Sequence, residues 1–484
     1  MLTLLLLVLP VLGALATLAT KGNTARQVAL VTSLAQLGVT LFCIATYQSN
    51  ASLFAFDAAW VASLGIHFKL NMDGISLIMV LLTNLLMPFI VLSGKALDDI
   101  DTARMPARYA LMLFMQSALI GVFTAMDGFL FYIFWELALI PIWFICLIWG
   151  SENRRSITLK FFIYTLLGSL FMLIGLIYLY LQTPTPHTFD LQAFYNLNLS
   201  ESAQSWIFWA FFIAFAIKMP VFPFHTWQPD TYVSAPTQGT MLLSGIMLKM
   251  GTYGLIRWLL PVVPQGVQAW SHFAMILAVI GIVYAAIIAI QQRDTKRLVA
   301  YSSMSHVGLI AAGALAMNYQ GIQGGIIQML SHGINVVALF FVVDLLQRKT
   351  HTRNLDQLGG IANVDREFAI LFFIIVAGSV ALPLTNGFIG EFMLLGGVFQ
   401  ANAVLAAVAG LSIIFGAVYM LRVYRSTMFG ETHTDTQHLA FVGSTEKWVL
   451  IPLCVLIIAL GIYPKPLLDI AQPAVEQLLL VIGG

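Results

Sequence analysis

The chain is poor in what a soluble protein uses to face water. Asp, Glu, Lys and Arg together make up 9% of its 484 residues, against roughly 25% in an ordinary globular protein. A water-soluble fold of this length could not cover its surface with so few charges. Cysteine is scarce too: Cys43, Cys146 and Cys454 stand singly in apolar segments. With no Cys-x-x-Cys spacing they read as small core residues, which argues against disulfides, zinc and iron–sulfur ligation. No glycine-rich nucleotide loop and no nicotinamide or flavin fingerprint occurs, so the chain is expected to hold no redox cofactor and no metal. A net charge of +1 without a basic tail excludes nucleic acid as a partner.

What is abundant is apolar length. Hydrophobic residues are 60% of the chain, and stretches of about twenty, the length a bilayer core demands, recur throughout. The pattern predicts fourteen spans, near 2–20, 27–47, 73–93, 107–126, 129–149, 157–181, 205–228, 236–260, 269–290, 298–316, 320–346, 367–396, 401–424 and 447–464. The first stretch, MLTLLLLVLPVLGALATLAT, has no basic residue ahead of it; Lys21 and Arg26 come after. That order fits a retained first helix rather than a cleaved signal.

Loop charges test this count. Alternate loops carry Lys21 and Arg26; Lys95, Arg104 and Arg108; Arg154, Arg155 and Lys160; Arg293, Lys296 and Arg297; Arg348, Lys349, Arg353 and Arg366; Arg422, Arg425 and Lys447. The other side holds Lys69, Arg257 and Lys465. By the positive-inside rule the first set is cytoplasmic, so both termini are expected on the outer, periplasmic side of a bacterial inner membrane. Of the 23 basic residues, Lys218 and Lys249 belong to neither side. Both fall in mid-span.

A charge at the centre of a membrane helix costs roughly 2.5–3.5 kcal/mol and marks ion or proton pathways by default. The mid-membrane set is Glu136, Lys218, Lys249, His306, His332 and Glu391, with His225 farther along the seventh span. Lys218 and Lys249 each have about ten apolar residues on the nearer side, too many for the ammonium to snorkel out. A single buried histidine is more often a hydrogen-bonded packing residue, so His225 and His332 rank below the others. Asp73, Asp127 and Asp344 lie near span ends and are expected to cap helices or meet headgroups. Tyr301, Ser302, Ser303 and Ser305 place hydroxyls beside His306, for a wet path or for bonds to their own helix's carbonyls. Burial favours a neutral lysine and a nearby carboxylate favours a charged one. Lys218 would therefore hold its proton while Glu136 is close and release it when the pair opens. Lysine suits such a switch, since arginine does not deprotonate, and histidines suit the intermediate steps.

Two spans contain breakers. FAIKMPVFPFHTW puts Pro220 and Pro223 just after Lys218, and ALPLTNGFIGEF puts Pro383 and Gly387 ahead of Glu391. Irregular backbone at this depth survives only inside protein or along a wet cavity, and paired broken helices point to an internal repeat. Glu136 to Lys218 is 82 residues and His306 to Glu391 is 85. Spans 4–8 and 9–13 then form two five-helix units, each broken in its fourth helix and, five being odd, inverted relative to each other. The fold class is thus all-α polytopic membrane protein. Its expected divisions are 1–106 (spans 1–3), 107–260 (first unit), 261–425 (second unit) and 426–484 (span 14 and tail).

HTWQPDTYVSAPT at 225–237, LKMGTYGLIR at 248–257, DTKRLVAYSSMSHVG at 294–308 and GFIGEF at 387–392 together resemble the antiporter-like subunits of respiratory complex I, the proton-translocating NADH:quinone oxidoreductase. The likeness runs from DGISL at 73–77 to span 14 and is greatest to the M type, which has glutamate on the broken twelfth span where the L and N types carry lysine. Gln228, Thr231 and Tyr232 depart from the usual residues after the tryptophan. The resemblance implies a Glu136–Lys218 pair gating proton transfer through Lys249 and His306 to Glu391, driven by quinone reduction elsewhere. It also implies L-type and N-type neighbours, lipid contacts, and NADH, FMN, iron–sulfur clusters and quinone in other subunits. An Mrp-type sodium/proton antiporter subunit shares the fold and is the alternative. A haem protein using His306 and His332 as axial ligands lacks the paired spacing that stacked haems need and leaves the lysines unexplained.

Overall fold

The computed structural model describes residues 1–47, 51–95, 98, 101–432 and 440–483. Eleven helices among them are long and apolar enough to cross a membrane. The first helices are α1 (Leu2–Leu18) and α2 (Asn23–Thr46), followed by α3 (Gly74–Ser93) and α4 (Met105–Thr124). Next come α5 (Gly128–Leu137), α6 (Leu139–Trp149) and α7 (Arg154–Gln182). Chemistry at the helix starts fixes several of these bounds. Asp73 caps α3 by accepting from the Ser76 amide at 3.0 Å, and Asp127 caps α5 through the Phe129 amide at 2.9 Å, as expected of those two aspartates. The turn at Ala138 divides α5 from α6. It lies three residues before Pro141, whose ring cannot follow a regular preceding turn.

An element absent from the all-α expectation is a hairpin of β1 (Phe56–Val61) and β2 (Ile66–Leu70), antiparallel with an irregularity between Ala59 and Val61. Ile66, Phe68 and Leu70 alternate with His67 and Lys69, the period of a half-buried strand. Gly65 closes the turn at φ 60°. A side chain there would also meet the His187 carbonyl.

The predicted seventh span is interrupted. After a short helix α8 (Leu191–Tyr195), α9 (Glu201–Lys218) stops at the lysine and α10 (Gln228–Ser234) resumes beyond an irregular stretch. The freed backbone is satisfied from inside the protein: Trp227 Nε1 donates to the Ile217 carbonyl at 2.9 Å, and Lys160 Nζ to the Thr226 carbonyl at 2.8 Å. The eighth predicted span is α11 (Thr237–Leu242) and α12 (Lys249–Gly254), each followed by a π-helical turn, Leu243–Met247 and Leu255–Leu259. Such turns are uncommon and concentrate at functional sites.

The second half comprises α13 (Pro264–Gln291), α14 (Thr295–Leu315) and α15 (Tyr319–Thr350), then a short α16 (Ile361–Val364) and α17 (Arg366–Ser379). The chain then breaks and continues as α18 (Asn386–Ala401), α19 (Ala403–Ala409), α20 (Leu411–Met428), α21 (Ser444–Ile462) and α22 (Lys465–Gly483). Residues after 464, read from the sequence as a tail, form that last helix. In the second break Ala381 and Leu384 take positive φ, 55° and 75°, a left-handed conformation costing about 1–2 kcal/mol for a residue with a side chain. Helix α15 is buried over its whole apolar window and packs against α3, α14, α17, α18, α21 and α22. Asp344 near its end accepts from Thr237 Oγ1 at 2.5 Å and from Arg348 at 2.7 Å. It ties helix ends together rather than capping a start.

Candidate functional site

Lys249 starts α12 immediately after a π-helical turn, and its ammonium is wholly buried. The extra residue in that turn lets Nζ reach back to the Ser244 carbonyl at 2.7 Å, within the run where regular i→i−4 bonding is suspended. The same Nζ meets His332 Nδ1 of α15 at 2.8 Å. One helix over, His306 Nδ1 of α14 lies 2.8 Å from Glu391 Oε1 of α18, and Gln328 Nε2 donates to that same oxygen at 3.2 Å. The His306 and His332 rings are 6.0 Å apart, centre to centre. Four titratable groups from four helices thus form two bonded pairs whose inner members are neighbouring imidazoles. Burial is high at each, with 0% exposure at Lys249, 4% at His332, 8% at His306 and 3% at Glu391.

Helix periodicity explains the assembly. Gln328, His332 and Asn335 lie four and three residues apart on α15 and so share one face. Asn335 Nδ2 donates to the Gly378 carbonyl at 2.9 Å, and Ser331 Oγ to the Asn386 carbonyl at 3.0 Å. The two ends of the second break are therefore held by α15, the helix that also presents His332 and Gln328. Gly390 makes room for this packing, since a Cβ there would fall 2.3 Å from Gln328 Oε1. A small cavity lies between, lined by His306, His332, Gln328, Asn335, Ser303 and Glu391 among others. Its room for the centre of a water molecule is about 10 Å³, on the order of one water.

Lys218 closes α9 and is 2% exposed. Its ammonium sits over the Trp135 ring, 5.5 Å from the centroid, a cation–π arrangement. Among the described residues no ion pair links Lys218 to Glu136, the residue next to that tryptophan; Glu136 is half-buried and its Oε1 has no partner. The α9 terminus packs directly on α12, where a Cβ on Gly251 would lie 2.8 Å from the Phe215 carbonyl oxygen and 2.9 Å from the Met219 amide nitrogen. Lys218 and Lys249 thus stand on two touching segments without a bond between them. His225 stays apart from this cluster, stacked on Phe222 and edge-on to Tyr284. Ser305 donates its hydroxyl to the Ile282 carbonyl at 3.1 Å, whereas Ser303 Oγ is buried beside the cavity without a partner among the described residues.

Sequence reasoning passed over Gln328, Asn335 and Trp135 because neutral side chains raise no charge-insertion alarm. The Gln-x3-His-x2-Asn spacing on one long helix was the signal that could have found the first two.

A model of the family described as "NADH:quinone oxidoreductase/Mrp antiporter, TM" matches residues 125–416. A Rickettsia conorii protein named NADH-quinone oxidoreductase subunit M is 39% identical over 459 residues, 93% of this chain and 92% of that one. In "Respiratory complex I from Thermus thermophilus with bound NADH", one chain superposes with a TM-score of 0.92 at 29% identity, covering 100% of both chains. The Mrp complex from Dietzia shares the fold, with a TM-score of 0.85 at 21% identity, covering 100% of this chain and 99% of that one. A family match over more than half of the residues and a close relative along nearly the whole length lead to one conclusion: this chain belongs to the NADH:quinone oxidoreductase/Mrp antiporter membrane-subunit family, among the M subunits of NADH-quinone oxidoreductase.

Proposed function

We propose that the chain is a membrane-arm subunit of a proton-translocating NADH:quinone oxidoreductase and moves protons through a buried relay of Glu136, Lys218, Lys249, His332, His306 and Glu391. The observation that carries this is the pair of buried contacts, Lys249 to His332 and His306 to Glu391, each at 2.8 Å. A buried ammonium and a buried carboxylate joined to neighbouring imidazoles serve no packing purpose that apolar residues would not serve at lower cost. Histidine between a donor and an acceptor passes a proton by taking it on one nitrogen and releasing it from the other. Lys218 acts as the switch. An ammonium over Trp135, with no direct ion pair to Glu136 among the described residues, supports a pair that can open and close.

The chain carries no redox group of its own in this reading; NADH, flavin, iron–sulfur clusters and quinone belong to other subunits, and quinone reduction there drives the relay. Fourteen membrane crossings are proposed, built as two inverted five-helix units broken after Lys218 and after Ser379, with both termini outside and L-type and N-type subunits as neighbours. The two breaks at corresponding places and the alternating basic loops support that arrangement. An Mrp-type sodium/proton antiporter subunit shares the fold, but identity to the Dietzia Mrp complex is 21% against 39% to a Rickettsia M subunit.

The test is proton uptake into vesicles carrying the assembled complex, driven by NADH and quinone. Lys249→Ala and Glu391→Gln should each lower pumping roughly tenfold or more, in the range of a lost acid–base group. Normal pumping by both variants would remove the relay.

A further inference from the structure

The relay as bonded has a gap between His332 and His306, and the charges this reading gives Lys249 and Glu391 set the hydrogen-bonding roles on either side of it. A charged Lys249 donates, so His332 accepts at Nδ1 and carries its own hydrogen on Nε2. A carboxylate at Glu391 accepts, so a neutral His306 donates from Nδ1 and offers Nε2 as an acceptor. Among the described residues His332 Nε2 and His306 Nε2 are both buried without a partner, and both residues line the same small cavity. Gln328 lines it too, 2% exposed, and its Oε1 is a second buried acceptor without a partner among the described residues.

We infer that Gln328 is a positioning residue that fixes one relay water between the two imidazoles. The water accepts from His332 Nε2–H and donates to His306 Nε2 and Gln328 Oε1. Three partners are what a buried water ordinarily has, and the room of about 10 Å³ suits a single molecule. Gln328 also fixes the far end of the path, because its Nε2 holds Glu391 Oε1 at 3.2 Å. One amide therefore orients both the bridging water and the terminal acceptor.

The proton count balances. Lys249 gives a proton to His332 Nδ1 and becomes neutral, and His332 loses its Nε2 proton to the water. The water passes a proton to His306 Nε2, and His306 loses its Nδ1 proton to Glu391. One proton has moved from lysine to glutamate, and each ring has exchanged its tautomer. The inference rests on the relay reading above.

The test is infrared difference spectroscopy of the assembled complex on reduction, in ordinary and in 18O-labelled water, alongside pumping assays. The native complex should show an O–H stretching band of an isolated internal water that moves on 18O labelling. Gln328→Leu and Gln328→Met remove the acceptor at similar bulk; whichever assembles should lose the band and pump roughly tenfold more slowly. Gln328→Glu keeps an oxygen in place and should retain the band. A band that persists in the apolar variants, or pumping that stays native in them, overturns the role of Gln328. If Lys249→Ala and Glu391→Gln still fail in that case, the relay stands without it. If those two pump normally, the relay itself is wrong.

Discussion

Lys249 and His332 meet Nζ to Nδ1 at 2.8 Å across 83 residues of chain. The contact changes the standing of His332, which from the sequence alone ranked with isolated packing histidines. Bonded to Lys249 on one side and facing the His306 ring on the other, it is the inner link of the proposed path. His332→Ala should therefore depress coupled pumping as strongly as Lys249→Ala does, roughly tenfold or more. Parallel vesicle assays on the two variants check this. A His332 variant with native pumping would return the residue to packing.

Glu136→Gln and Lys218→Ala should each sharply reduce pumping and coupled quinone reduction while the complex still assembles. Among the described residues neither side chain makes an ion pair with the other, and Glu136 is half-buried with its Oε1 unpartnered. Activity in membranes, together with subunit content on native gels, separates loss of transfer from loss of assembly.

Gly251 keeps the ends of α9 and α12 in contact. Gly251→Ala would push a methyl group to within 2.9 Å of backbone atoms of Phe215 and Met219, and backbone cannot yield as a flexible side chain would. The expected cost is about 1–3 kcal/mol, typical of overpacking, read as a lower temperature of thermal inactivation. Gly38→Ala, inside α2 with open space around it, should not lower that temperature, since Ala favours a helix over Gly.

Asn335→Ala would take from the Gly378 carbonyl its donor at 2.9 Å and leave the Ala381 amide at 3.4 Å. A lost hydrogen bond costs about 0.5–1.5 kcal/mol, here at the end of a break that already holds two residues in a left-handed conformation. Thermal inactivation should again fall. Proteolysis near residues 379–386 should quicken in detergent, whereas cleavage elsewhere should not.

The charged members of the site were legible because each is costly in an apolar run, as were the two breaks, because Pro220, Pro223 and Pro383 disrupt a regular helix there. Contacts were not legible. Nothing local in the sequence pairs Lys249 with His332 or His306 with Glu391, since those meetings depend on how α12, α14, α15 and α18 pack. Resemblance supplied the order of the path, yet it did not single out His332. Gln328 escaped notice because a glutamine raises no insertion alarm. The helix after Lys465 and the hairpin at Phe56–Leu70 were missed for a different reason. Their apolar periodicity is short or mixed with charges, and a scan for long apolar runs passes over it.

Over residues 321–343 helix α15 has no face left to the outside. Solvation by acyl chains therefore places no demand on its surface, and amide and imidazole groups can line it where an outer helix would need leucine. The same enclosure couples its placement to every neighbour at once. A turn of a few degrees about its own axis would shift the donor to Gly378, the base beside Lys249 and the amide on Glu391 together, so one rod's rotational setting bears on every one of those bonds at once.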